Sequence, residues 1–93
     1  MLRISIQESD KTVGITLEGR VAGPWAAELR RVWVETAPRL AARELSLDLR
    51  NVTYADETGT QALMEIYRQT HAELLASNPW TQSLAEQITR VNA

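Results

Sequence analysis

Ninety-three residues of 10.4 kDa make room for one domain, residues 1–93, and exclude a multidomain enzyme. Apolar residues at 44% and charged residues at 24% sit near the globular average, so the chain builds one small core. The absence of cysteine excludes a disulfide framework and thiolate chemistry. A net charge of -2, with Lys11 as the sole lysine, leaves no basic tract to hold phosphates, so nucleic acid is not an expected partner.

Leu2, Ile4 and Ile6 alternate with Arg3, Ser5 and Gln7, and after the polar turn Glu8-Ser9-Asp10-Lys11 the alternation resumes at Val13, Ile15 and Leu17. Period-two patterning on both sides of a turn predicts a β-hairpin. No continuous apolar run suits a signal peptide or a membrane span, so a cytoplasmic protein without direct membrane insertion is expected. Gly23-Pro24 opens a helix, with Trp25, Leu29, Val32, Trp33 and Thr36 at helical spacing and Glu28, Arg31 and Glu35 toward solvent. That helix is expected to stop before Pro38, because proline disfavours helical geometry at Ala37.

Leu45, Leu47 and Leu49 alternate with Ser46, Asp48 and Arg50 as a third strand, followed by a loop from Asn51 to Thr58. From about Glu57 to His71, the stripe Ala62, Leu63, Ile66, Tyr67 and Thr70 predicts a second helix, with Gln61, Glu65, Arg68 and Gln69 outside. Ala72 to Ala76 reads as a fourth strand. Asn78-Pro79 caps a last helix whose apolar stripe is Trp80, Leu84, Ile88 and Val91.

The order ββαβαβα requires a mixed sheet: an antiparallel hairpin followed by two right-handed parallel crossovers. Sites in such sheets tend to lie beyond the carboxyl ends of the parallel strands. Here those ends lead into the loops Glu18 to Pro24 and Asn51 to Gly59. Within the second, Asp56 or Thr58 caps the helix, Thr58 being spaced from Gln61 as in a capping box. Asp56 and Glu57 have no nucleophile or electrophilic stabiliser beside them, His71 suits a helix C-terminus, and the four glycines are too dispersed for a phosphate loop. Catalysis, a metal and a cofactor are therefore not expected. Trp25 and Tyr54 lie at the same edge as candidate contact residues.

The run Glu18-Gly19-Arg20-Val21 after the second strand, the apolar strand Leu45-Ser46-Leu47-Asp48-Leu49 and the stretch Tyr54-Ala55-Asp56-Glu57-Thr58-Gly59 together resemble the STAS family. Ala72 to Trp80 resembles that family's last strand and the entry to its final helix. STAS domains are shared by sulfate transporters and anti-sigma-factor antagonists. The resemblance implies an α/β, STAS-like mixed β-sheet of about four strands with three helices packed on it. It also implies a bacterial, non-catalytic protein-protein interaction module. In antagonists a partner kinase phosphorylates the Ser or Thr directly after the aspartate; here that position is Glu57, which has no hydroxyl, and Thr58 follows it. Regulation is thus either absent or displaced to Thr58. The implied partner is an anti-sigma-factor kinase-like protein. The alternative is an ATPase subunit of a lipid-transport ABC system, to which this chain would be a cytoplasmic accessory. The expected partner-binding residues are Asp56, Glu57, Thr58, Gly59, Arg20, Trp25 and Tyr54, and a homodimer through a helix face stays open.

Overall fold

The hairpin forms where the alternation placed it. In a computed structural model that describes residues 1–90, β1 (Leu2–Glu8) pairs antiparallel with β2 (Thr12–Val21), matching Ile4 to Leu17 and Ile6 to Ile15. The chain continues through α1 (Pro24–Leu40), β3 (Glu44–Ala55), α2 (Glu57–Thr70), β4 (Glu73–Leu75) and α3 (Pro79–Thr89). The sheet order is β1-β2-β3-β4, with β2, β3 and β4 parallel. Right-handed crossovers from β2 to β3 and from β3 to β4 step in one direction and so put α1 and α2 on one face. Val13, Ile15, Leu17, Leu45, Leu47 and Leu49 are buried under them against Leu29, Trp33, Leu63, Ile66, Leu84 and Ile88. The other face keeps the alternate polar residues, where Arg50 makes an ion pair with Asp48 and Thr16 donates a hydrogen bond to Gln7.

Two strands are longer than the sequence suggests. β2 runs to Val21 rather than Leu17, and β3 runs to Ala55 through the segment that reads as the Asn51 to Thr58 loop. The β2–β3 register shifts between Thr16 and Glu18 and again between Gly19 and Arg20, each time absorbing one extra residue of β3. Buried or core-packed positions in β3 accordingly step from 45, 47 and 49 to 52 and 55. A β-bulge reverses the facing of the residues beyond it, which erases the period-two signal while the strand itself continues.

The first helix also overruns its expected end, because Pro38 lies inside α1. Pro38 lacks the N–H that would reach the Val34 carbonyl, but both residues are on the solvent face, where water can replace the bond. Ala37 and Leu40 pack on the core, and Arg43 donates to the carbonyls of Arg39 and Leu40, which holds the last turn in place. Arg39 and Arg43 both reach Glu8, tying the end of α1 to the hairpin. Trp80 departs from its expected place in the final apolar stripe. It is 42% exposed, and the buried stripe of α3 is Thr81, Leu84 and Ile88, one position on. Val91 lies outside the described residues. Asn78 caps α3 as expected, in a capping box with Thr81.

Pro38→Ala restores the missing donor on an exposed helix face and should raise stability by about 1–2 kcal/mol in urea unfolding. Glu8 is held below the usual glutamate range chiefly by its hydrogen bond from Arg43, with the Arg39 charge adding to it against desolvation. Its contribution is therefore present above about pH 4.3 and lost as pH falls through the lowered folded value. Glu8→Gln should melt below the parent protein at pH 7, and the gap should close at pH 2.

Candidate functional site

The parallel strands β2 and β3 end side by side, Val21 next to Ala55, and their two exits are joined by one carboxylate. Asp56 Oδ1 accepts from the Gly59 N–H at 2.7 Å, closing the first turn of α2, and Oδ2 accepts from the Gly23 N–H at 2.9 Å, reaching across to the start of α1. The Asp56 N–H donates to the Val21 carbonyl at 3.2 Å. Asp56 is thus the N-cap, and the choice left open between Asp56 and Thr58 falls to Asp56. Its carboxyl lies below the usual aspartate range, first because of the Gly59 bond, then that of Gly23, with the Arg20 charge a smaller cause.

The two glycines in this arrangement are required for different reasons. Gly23 has φ +57° and ψ -134°, a conformation that side chains rarely adopt, although a Cβ there would meet nothing within 4 Å. Gly59 is helical and buried, but a Cβ on it would come within 2.8 Å of the Val21 carbonyl carbon and closer still to its oxygen. The first turn of α2 therefore sits directly on the end of β2, an approach that only a residue without a side chain permits.

The seven residues expected at this edge divide into two groups. Glu57 and Thr58 are exposed on the first turn of α2. Arg20 and Tyr54, neighbours across the β2–β3 register, are also exposed, with the Arg20 guanidinium carbon 4.5 Å from the centre of the Tyr54 ring. Alternation along β2 turns this cation-π pair away from the face that buries Val21. Asp56 and Gly59, by contrast, are committed internally, and Trp25 is half-buried against the core. These three shape the edge from below.

Sequence reasoning missed a groove of about 440 Å³ that Ala55, Asp56 and Glu57 form with Thr60, Gln61, Met64 and Gln87. Helical spacing from Glu57 could have found Gln61 and Met64, which share its side of α2. Gln87 arrives from α3 through tertiary packing and has no local signal. Glu65 keeps the exposure expected of the outer face, 39%, and also pairs with Arg30, linking α2 to α1. The groove is shallow and open, and no group of three His, Cys, Asp or Glu among the described residues could hold a metal. No helix among the described residues is long and apolar enough to cross a membrane.

No family profile matches the sequence, and no curated protein matches it. Solved structures do match in shape. The anti-sigma factor antagonist SpoIIAA in its unphosphorylated form superposes with a TM-score of 0.66 at 14% identity, covering 98% of this chain and 99% of that one. A protein of the DUF3478 family from Shewanella loihica PV-4, described as having a SpoIIAA-like fold, gives 0.56 at 14% identity over 97% of this chain and 75% of that one. The structure of Mglu gives 0.64 at 18% identity over 81% of this chain but 19% of that one, so the fold also occurs as a small part of a longer protein. The chain therefore has the STAS-type fold of SpoIIAA.

If the Gly59 contact fixes this edge, Gly59→Ala should lower stability by about 1–3 kcal/mol or more in denaturant unfolding. Gly23→Ala should also destabilise, through backbone strain of about 1–3 kcal/mol rather than through a clash.

Proposed function

We propose that the chain is a non-catalytic protein-binding domain of the anti-sigma-factor-antagonist type. Its partner, an anti-sigma-factor kinase-like protein, meets the edge formed by Glu57, Thr58, Arg20 and Tyr54. One observation carries the reading: an exposed Glu57-Thr58 pair stands on a helix start that is capped and packed from below, at the same strand ends whose other face carries the exposed Arg20–Tyr54 pair. Arginine and tyrosine are the residue types that dominate binding energy at interfaces, and a mount packed from below keeps the ordering cost of binding low. The likeness to SpoIIAA in fold supports this partner over the transporter alternative.

On this reading Thr58 receives the phosphoryl group. Thr58 is the second residue of α2 after the cap, exposed, at the end where backbone N–H groups point outward and negative charge is favoured. A phosphate there adds about -1.5 to -2 charge beside the single negative charge of Glu57. The edge then passes from one acidic group to a strongly anionic cluster, which expels a partner seated on it through like charge. Glu57 sets the resting charge on which that change builds.

The test requires the cognate kinase-like partner, isolated by affinity capture from the source cell, and titration calorimetry. Arg20→Ala should weaken binding at least tenfold, and Glu57→Ser should change it measurably. Asp10→Ser, in the hairpin turn at the opposite end of the sheet, should leave it unchanged. Incubation with the partner and ATP should add one phosphate by mass, absent from Thr58→Val. Equal affinities for all three binding variants would show that recognition lies elsewhere.

A further inference from the structure

The outer edge of β1 is unpaired by any strand among the described residues. Its hydrogen-bonding phase is set by two bonds to β2. Arg20 N–H donates to the Met1 carbonyl at 3.1 Å, and Ser9 N–H donates to the Thr12 carbonyl at 2.9 Å. Odd-numbered residues of β1 therefore bond inward, and Leu2, Ile4, Ile6 and Glu8 present N–H and C=O groups outward. The same four residues place their side chains toward the helices, where Ile4 and Ile6 pack on the core but stay half-buried. Of the devices that usually blunt a sheet edge, β1 has no proline, no lysine and no break in its register with β2, and its charged residues, Arg3 and Glu8, lie near its two ends.

We infer that β1 is a homodimerisation edge, on which the β1 strand of a second copy pairs antiparallel about a two-fold axis through Ser5. Facing residues must share a side of the sheet, so their numbers must sum to an even value. A sum of ten matches Ile4 with Ile6 of the second copy, Leu2 with Glu8 and Ser5 with Ser5, and uses the whole strand. A sum of twelve leaves Leu2 and Arg3 without a facing strand residue, and a sum of eight leaves Gln7 and Glu8 without one. Charge favours the same direction: antiparallel pairing sets Arg3, 80% exposed, across from Gln7 and keeps the two Arg3 side chains at opposite ends of the seam, whereas parallel in-register pairing would set Arg3 against Arg3 and Glu8 against Glu8. The product is a continuous eight-stranded sheet with every helix on one face and both Glu57-Thr58 edges free. Pairing along one seven-residue strand, about 24 Å, buries less than the ~800 Å² per partner of a standard interface. The dimer should accordingly dissociate in the micromolar range.

The test uses the intact chain. Sedimentation velocity from about 1 μM to 1 mM should show a monomer–dimer equilibrium. Ile6→Pro removes an outward N–H and no bond to β2, and should raise the dissociation constant at least tenfold while far-ultraviolet circular dichroism stays unchanged. Because the protein has no cysteine, single cysteine variants report the register independently of that variant's folding. Facing non-hydrogen-bonded residues lie about 4.5 Å apart at Cα, so Ser5→Cys should oxidise to a covalent dimer. Gln7→Cys, which faces Arg3, should oxidise at least tenfold more slowly. A monomer at every concentration would overturn the inference, as would a dimer in which Ser5→Cys crosslinks no faster than Gln7→Cys.

Discussion

The approach of α2 to the end of β2 governs the rest of the molecule. Gly59 lets the first helical turn rest on the Val21 carbonyl, and Asp56 then meets three demands at once. It caps α2, accepts from the start of α1, and donates its own N–H to β2. Backbone groups leaving a sheet edge must find partners when water is excluded, and one acidic residue supplies them for both exits. The exposed Glu57, Thr58, Arg20 and Tyr54 inherit their positions from this arrangement. Their placement follows from the buried contacts beneath them and not from their own side chains.

How much of this was legible in the sequence depended on whether a feature was written in local periodicity. The hairpin, both parallel crossovers, the three helices and the Asn78 cap have local signals, and all appear in the structure, with β2, β3 and α1 running past their expected ends. Pro38 misled because the steric preference against helical geometry at Ala37 is outweighed where Ala37 and Leu40 pack on the core and Arg43 holds the final turn together. Trp80 misled because size was read as burial, although the buried step from Thr81 to Leu84 and Ile88 is equally helical. At the site, Asp56 was one of two legible caps, because Thr58, spaced from Gln61 as in a capping box, gave an equal local signal. The groove needed Gln87, which tertiary packing brings from the far end of α3.

The likeness to SpoIIAA at 14% identity has a physical basis in how few positions the architecture constrains. One face of each strand and one stripe of each helix must be apolar and of suitable volume, which many sequences satisfy. Tighter demands fall on a handful of points, chiefly Gly23, Asp56 and Gly59, where backbone meets backbone. The aspartate-to-glycine segment carried the family resemblance in the sequence, and it occupies the site with the least steric freedom.

The two bulges in β3 set an arithmetic for the chain. Twelve residues of β3 are matched to ten of β2, each bulge absorbing one. One bulge alone would invert every later residue, sending Ala55 outward and Asp56 away from Gly23. Two restore the phase, so that Ala55 faces the core as Leu49 does. Between Leu49 and Asp56 the chain can therefore lengthen or shorten only in pairs. Loss of a single residue anywhere in that interval is a frameshift in space, leaving every other side chain unchanged in kind yet turning the strand end that carries Tyr54, Ala55 and Asp56 to the wrong face.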